Sequence, residues 1–271
     1  RDRHLVTEEE QAELYEKTTL VAGLSVGSHV LQHLVYAGVG GRHILADYDV
    51  VSISNLNRLR AGMSQVGEEK IDIFAKKVSE LDPYMELDLL RGGITESSLD
   101  SLKHTPDILF DEVDDLAAKA LLRVYAKRHK LPLIMATDVG YKSIIDIERH
   151  DIKDVKPFNG RISQKMFDAL ASRELPPEDH KKVITRLIGL GNASLRLLKS
   201  VSDRELEGFP QLDATASQGG ALATVVARDI LLGRNVPSGR RVVDMRQKMG
   251  LSADVSLREV PEIIKGYVKN R

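Results

Sequence analysis

The feature that most constrains the fold is an alternation of β-rich segments with helical segments between Thr18 and Thr137. Aliphatic and β-branched residues dominate five short segments, TTLVAG, RHILADYD, MELDLL, DILFDEV and LPLIMAT. Apolar residues recur at helical spacing in most of the intervals between them, as in LSVGSHVLQHLVYAGVG. Strands that alternate with helices in this way predict an α/β fold, with a mostly parallel, doubly wound sheet and helices on both faces.

The pattern changes after Gly140, and the changes predict how the chain is divided. YKSIIDIERHD alternates apolar and polar residues, as a half-exposed antiparallel strand does, so we expect a Rossmann-like sheet with some antiparallel strands in the C-terminal half. A long apolar helix is predicted at 216–233, with Gly233 as its C-cap. We predict one nucleotide-binding domain over residues 1–235, with 152–212 as a helical insertion, and a C-terminal tail over 236–271 with one helix.

Composition excludes several classes of protein. The net charge of −1 provides no excess of basic residues for a general nucleic-acid binder. The chain has no cysteine, which excludes structural disulfides, a cysteine nucleophile and a zinc site built on thiolates, and is consistent with a cytoplasmic location. We find neither a membrane span nor a secretory signal. The start at Arg1 leaves open that further domains of a longer chain exist.

The turn AGLSVGS follows the first predicted strand and precedes the first long helix. Small residues at such a turn, here Gly23, Ser25 and Gly27, let a phosphate approach the backbone N–H groups of the helix N-terminus. Ser25 stands where nucleotide-binding turns usually have a second glycine. The alternative is a tight turn that binds no ligand.

Two carboxylates follow the second predicted strand. Asp47 lies 20 residues after Gly27, where an acidic residue commonly accepts hydrogen bonds from a ribose. Asp49 lies beside it. The alternative is that both aspartates only cap the turn after the strand.

The segment SNLNR comes directly after these acids and provides groups that suit a triphosphate. Arg58 can donate charge-assisted hydrogen bonds to phosphate, each contributing roughly 1.5–3 kcal/mol. Asn55 can bridge phosphate oxygens or orient Arg58, and Asn57 lies between them. Lys70, at the start of the next helix, adds a compact positive charge. The alternative for Lys70 is a solvated surface lysine.

The fourth predicted strand ends in FDEVDD. Asp111 and Asp114 are expected to project from the carboxyl edge of the sheet, where ligands bind in such folds, and one of them could hold Mg²⁺ against phosphates. The competing interpretation is that Asp114 caps the helix beginning at Leu116.

Taken in order, these motifs resemble the ThiF/MoeB/HesA superfamily of ATP-using adenylyltransferases, which are related to ubiquitin-activating enzymes. The resemblance covers roughly residues 1–150 and 210–233, and its most specific part is DYDVVSISNLNR followed by VGEEK. It also rests on the segments RDRHLVTEEEQ, VAGLSVGS, FDEVDDLAAKALL and LPLIMATDVG.

The resemblance implies adenylation of a carboxylate by ATP, with the C-terminus of a ubiquitin-like protein or a peptide as a possible substrate. Position by position, it implies that Asp47 binds ribose, that Arg58 and Lys70 bind the phosphates, and that Asp114 holds Mg²⁺. Arg3 or Arg1 matches the N-terminal arginine that reaches the partner subunit's ATP site, which implies a homodimer. The region 152–212 matches the family's crossover loop.

The absence of cysteine departs from relatives that transfer the activated carboxylate to a thiol or bind zinc through paired cysteines, so no zinc is expected here. An active protein of this kind would stop at the acyl-adenylate or pass it to an acceptor supplied elsewhere. Two other functions stay open. One is a ThiF-like pseudoenzyme that serves as a nucleotide-binding scaffold, since the glycine turn is altered; the other is a NAD-dependent oxidoreductase, which leaves SNLNR unexplained.

Overall fold

A computed structural model describes residues 4–193 and 210–251 of the chain. Its centre is a seven-stranded sheet. The strands are β1 (Thr18–Ala22), β2 (Arg42–Ala46), β3 (Glu86–Leu90), β4 (Ile108–Asp111), β5 (Pro132–Val139), β6 (Lys142–Arg149) and β7 (Gly239–Asp244). Their order in the sheet is β3-β2-β1-β4-β5-β6-β7. The first five strands are parallel, whereas β6 is antiparallel to β5 and β7 is antiparallel to β6. The predicted mostly parallel sheet with antiparallel strands in the C-terminal half is confirmed.

Helices cover both faces of this sheet. They are α1 (Glu8–Tyr15), α2 (Gly27–Tyr36), α3 (Lys70–Leu81), α4 (Glu96–Asp100), α5 (Leu116–His129), α6 (Gln164–Ala171), α7 (Pro177–Ile188), α8 (Asp213–Leu231) and α9 (Met245–Lys248). One apolar core lies beneath α1, α2, α3 and α8, and a second lies beneath α4, α5, α6 and α7. All five residues of β1 are buried, because a central parallel strand is covered on both sides. Among the described residues, no helix has the length and apolar composition that a membrane span requires.

The strand order reverses between β1 and β4. The chain runs outward from β1 through β2 to β3 and then returns to place β4 on the other side of β1, with Ala22 level with Asp111. The loops after β1 and β4 therefore leave the same edge of the sheet in opposite directions. In doubly wound sheets this reversal opens a crevice at the carboxyl ends of the strands, where ligands bind.

The glycine turn after β1 is packed directly on the segment after β4. Gly23 has a φ of +84°, a region that favours glycine, and an added Cβ there would lie 2.4 Å from the carbonyl oxygen of Glu112. Gly23 is therefore required both by its backbone conformation and by the close approach of the two loops.

Two features of the C-terminal part differ from the sequence interpretation. Residues Gly239–Asp244 add strand β7 to the edge of the sheet, although we had placed them in a tail beyond residue 235. The long helix runs from Asp213 to Leu231, three residues earlier than predicted at its start. The domain boundary at 235 stays a prediction, and the predicted tail helix lies outside the described residues.

Candidate functional site

Two adjoining cavities lie at the carboxyl edge of the sheet, where the strand order reverses. The smaller one, about 200 Å³, lies between the glycine turn and the end of β2. The larger one, about 760 Å³, extends from the SNLNR segment to the end of β5 and α7. Glu112, Val113 and Asp114, which follow β4, line both cavities. The segment FDEVDD therefore forms the wall between them.

Asp47 connects the end of β2 to the glycine turn. Its Oδ2 accepts a hydrogen bond from the Leu24 backbone N–H at 2.6 Å, and its Oδ1 accepts one from the Asp49 N–H at 2.7 Å. Burial raises the pKa of Asp47, while these N–H groups and the nearby Lys70 oppose the rise. Asp47 lines the smaller cavity together with Gly23 and Ser25, as a ribose-binding carboxylate would.

Lys70 is not a solvated surface lysine. Only 5% of its side chain is exposed, and its Nζ lies 2.8 Å from Asp49 Oδ2. Its backbone N–H also donates to the Asp49 carbonyl oxygen at 2.9 Å, so the start of α3 is fixed against the loop after β2. Lys70 and Asp49 both line the smaller cavity.

Arg58 lines the larger cavity and is held by its own loop. Its Nη1 donates to the Ser54 carbonyl oxygen at 3.1 Å and to Asn57 Oδ1 at 2.9 Å. Its Nε is buried and has no hydrogen-bond partner among the described residues. His29 fixes the same loop from below, because its Nε2 lies 2.6 Å from the Arg58 carbonyl oxygen. These contacts orient the guanidinium at the cavity wall.

Not every predicted site residue reaches a cavity. Asn55 lines neither one, and its Oδ1 accepts from the Ser52 N–H at 3.1 Å, which caps a short 3-10 turn. Gly27 begins α2, and an added Cβ would lie 3.2 Å from the Glu112 Cβ, so its role in the structure is close packing. Arg3 lies outside the described residues.

The carboxylates after β4 have separate roles. Asp111 does not project from the edge as expected, because it is fully buried and paired with Lys119 at 3.1 Å and Arg123 at 2.5 Å. The cap of α5 is Asp115, whose Oδ1 accepts from the Ala117 N–H at 2.8 Å. Asp114, which we weighed as that cap, is exposed and has no hydrogen bond within the described residues.

Asp114, the proposed magnesium ligand, does not belong to a cluster of candidate metal ligands among the described residues. Among the described residues, no group of three or more His, Cys, Asp or Glu side chains could hold a metal ion. Mg²⁺ is commonly bound by one or two carboxylates together with substrate phosphates and water, and Asp114 fits such a partial donor set. Asp114 as a magnesium ligand stays a prediction.

Sequence interpretation missed several residues at the cavities, among them Glu112, Asp138 and Arg173. Glu112 and Asp138 follow β4 and end β5, and both are buried acids whose pKa is raised by burial. An acid at the carboxyl end of a predicted strand is the signal that could have identified both. Arg173, in the loop between α6 and α7, lines the smaller cavity, and its Nη2 lies 3.4 Å from Asp115 Oδ2. No sequence signal marked Arg173.

The chain is similar in sequence to known proteins. A model of the ThiF family matches residues 1–198. An uncharacterized protein of Mycobacterium tuberculosis is 34% identical over 248 residues, which cover 90% of this chain and 34% of that protein. The sulfur carrier protein ThiS adenylyltransferase of Escherichia coli is 28% identical over 133 residues, which cover 48% of this chain and 53% of that enzyme.

A solved structure with the same fold contains a nucleotide. The tRNA N6-threonylcarbamoyladenosine dehydratase of E. coli in complex with ATP has a TM-score of 0.58 and 18% identity, covering 85% of this chain and 92% of the other. At this identity the likeness establishes the fold. The chain spans about a third to about half of the length of the two curated relatives described above.

Proposed function

Because the chain belongs to the ThiF family, we propose that it binds ATP at the carboxyl edge of the sheet and activates a carboxylate as an acyl-adenylate. The observation that carries this proposal is the pair of adjoining cavities that share Asp114. Lys70 lines the smaller cavity and Arg58 lines the larger one. A triphosphate that crosses the shared wall would meet one cation from each side.

The two cavities suit the two parts of the reaction. We place the nucleoside in the smaller cavity, with its ribose at Asp47, and the acyl substrate in the larger one. A carboxylate oxygen of the substrate attacks the α-phosphorus of ATP. The bond between that phosphorus and the bridging oxygen breaks, and pyrophosphate leaves with the electron pair. Cations fixed beside the phosphates stabilise the charge that develops during this transfer.

Each charged residue has a defined task in this arrangement. Arg58 donates to phosphate oxygens from a loop already fixed by Ser54 and Asn57. Lys70 provides a positive charge at the smaller cavity, where Asp49 holds its Nζ in place. Asp114 would hold Mg²⁺, which supplies further positive charge to the phosphates when bound.

The acceptor is not a thiol of this chain, because the chain has no cysteine. We propose that the acyl-adenylate is the released product or is passed to an acceptor supplied elsewhere. The sulfur carrier substrate in the name of one relative supports a small protein or a peptide as the carboxylate donor. We further propose a cytoplasmic homodimer in which Arg3 of one subunit serves the other's site, as the family resemblance implies.

Titration with Mg-ATP and ATP–pyrophosphate exchange test the proposal. We expect Arg58→Ala and Asp114→Asn to weaken binding of Mg-ATP by about tenfold or more, because Arg58 would donate to the phosphates and Asp114 would hold the Mg²⁺ bound to them. Arg60→Ala is the matched control, since Arg60 is exposed and lines neither cavity. No heat with Mg-ATP, or equal effects of Arg58→Ala and Arg60→Ala, would sink the proposal. Binding without exchange for any carboxylate would favour the nucleotide-binding scaffold.

A further inference from the structure

The larger cavity contains more acidic groups than its surroundings neutralise. Its lining includes the carboxyl groups of Glu112, Asp114 and Asp138 and the cationic groups of Arg58 and Lys119. The three acids therefore face two cations. If one of these cations is already neutralised by other groups, a ligand of this cavity has to provide positive charge itself.

Lys119 is already engaged in a buried ion network. Its Nζ lies 3.1 Å from Asp111 Oδ1, and Arg123 bridges Asp111 at 2.5 Å and Glu148 at 2.8 Å. Two cations and two carboxylates balance within this network, as buried charges must. Lys119 is therefore largely neutralised by Asp111, and among the described lining residues Arg58 is the remaining cation beside three acids.

Glu112 and Asp138 each have one carboxyl oxygen without a partner. Glu112 is 8% exposed and Asp138 is 4% exposed. Glu112 Oε1 accepts from the Ala136 N–H, and Asp138 Oδ1 accepts from Gln211 Nε2, both at 2.9 Å. Glu112 Oε2 and Asp138 Oδ2 are buried and accept nothing from the described residues. Such an unpaired buried acceptor costs about 1–3 kcal/mol, which a ligand donor would recover.

During the proposed reaction the remaining countercharges are taken. Arg58 faces the triphosphate and Asp114 faces Mg²⁺. Besides Lys119, which is already paired with Asp111, the described lining then provides no further cation for Glu112 and Asp138. We propose that the acyl substrate is an amino carboxylate, whose cationic nitrogen binds between Glu112 and Asp138 while its carboxylate turns towards Arg58. The carboxylate's fate rests on the function proposed above, whereas the nitrogen site rests on the cavity alone.

The other lining residues of the cavity indicate the polarity of the rest of this substrate. Apolar side chains form a large part of the remaining lining, so the part that carries the nitrogen and the carboxylate is a hydrocarbon or an apolar side chain. These side chains include Val26, Leu116, Met135, Ile184, Leu187 and Ile188.

The nitrogen site can be tested without knowing the substrate, by calorimetric titration of the full chain with isoamylamine and with isoamyl alcohol. The two probes share a carbon skeleton and differ in the ammonium group. We expect the amine to bind at least about tenfold more tightly, since a charge-assisted hydrogen bond is stronger than a neutral one.

Asp138→Asn and Glu112→Gln keep the shapes of these side chains and remove their charge. We expect each to reduce the preference for the amine by about tenfold, while thermal unfolding reports that the variants fold. Asp154→Asn is the control, because Asp154 is exposed, pairs with Lys127 and lies outside the cavity. Equal affinity for the two probes, binding of neither, or a preference that survives both substitutions would overturn the inference.

Titration of the same preparations with Mg-ATP separates this inference from the proposed function. Normal ATP binding without any preference for the amine would leave adenylation in place and remove the amino carboxylate. If the amine binds in a way that depends on Asp138 but the protein does not bind ATP, the nitrogen site stands and adenylation is removed. Leucine and isocaproate then compare the aminated and deaminated acids in ATP–pyrophosphate exchange, where leucine should be the better substrate.

Discussion

At the scale of single residues, Lys70 illustrates how a buried charge is kept ready for a ligand. Its ammonium is almost fully covered, but its partner Asp49 is half exposed, with 52% of that side chain accessible. A phosphate entering the smaller cavity could therefore share the ammonium with a carboxylate that is partly solvated. This arrangement costs less than burying both members of the pair.

Replacing Lys70 tests this role. Lys70→Met keeps the hydrocarbon part of the side chain and removes the charge, so we expect the dissociation constant for Mg-ATP to rise by about tenfold or more. Lys76→Met is the matched control, because Lys76 lies on the same helix, is 77% exposed and pairs only with Glu80. Calorimetric titration of both variants with Mg-ATP measures the difference. Similar affinities of the two variants would show that Lys70 has only a structural role.

His43 makes stability depend on pH at a single residue. Burial lowers the pKa of this ring from 6.5 to about 4, and its Nδ1 lies 2.7 Å from Thr19 Oγ1. Between pH 6.5 and about pH 4, His43 therefore binds a proton in the unfolded chain and stays neutral in the folded chain. This contribution to the free energy of unfolding is complete above pH 6.5 and falls by up to about 1.4 kcal/mol per pH unit as the pH decreases towards 4.

Urea unfolding at several pH values measures this dependence. His43→Gln removes the titrating group and retains hydrogen-bonding atoms, so we expect a smaller loss of stability between neutral and acidic pH than in the unmodified protein. His104→Gln changes a partly exposed ring and serves as the control. If the slopes of both variants equal that of the unmodified protein, His43 is not the source.

At the scale of elements, the crossing of α2 and α8 holds the glycine turn in place. Gly220 of α8 lies so close to α2 that an added Cβ would be 2.7 Å from the carbonyl carbon of His29. The same residue of α2 contacts the carbonyl oxygen of Arg58. One helix crossing thus positions both the start of α2 and the arginine loop.

Neighbouring glycines give a matched test of this crossing. We expect Gly220→Ala to lower the free energy of unfolding by about 1–3 kcal/mol, because the added methyl overpacks the contact with α2. At Gly219 an added Cβ would meet Ala136 at 3.5 Å, an ordinary contact, so Gly219→Ala should be neutral or stabilise by about 0.5–1 kcal/mol through higher helix propensity. Chemical denaturation of the two variants compares them; equal effects would contradict the tight crossing.

At the scale of the whole molecule, the proposed homodimer makes a prediction about shared sites. If Arg3 acts in the partner's site, Arg3→Ala and Arg58→Ala homodimers should both lose exchange activity. A mixed dimer, however, contains one site with both arginines, so mixing the two inactive proteins should restore part of the activity. Analytical ultracentrifugation provides the control for dimer formation. A monomeric protein, or a mixture that stays inactive, would remove this role of Arg3.

Much of the site was predictable because its residues follow strands of a recognisable pattern. Asp47 and Asp49 follow β2, and Asp114 follows β4, so the parallel arrangement alone places them at one edge of the sheet. Asn55 was not predictable in this way, because an amide next to an arginine in the sequence can equally cap its own turn, and here it does.

The doubly wound sheet, its antiparallel strand β6 and the family follow from the sequence, because periodicity and local turn chemistry depend on neighbours along the chain. In contrast, the burial of Asp111 in an ion network, the edge strand β7 and the cavity shared by Glu112 and Asp138 appear only in the folded structure. Burial and the pairing of charges depend on which distant residues meet, such as Asp111 with Arg123 and Asp138 with Gln211. The spacing of residues along the chain does not specify these tertiary contacts.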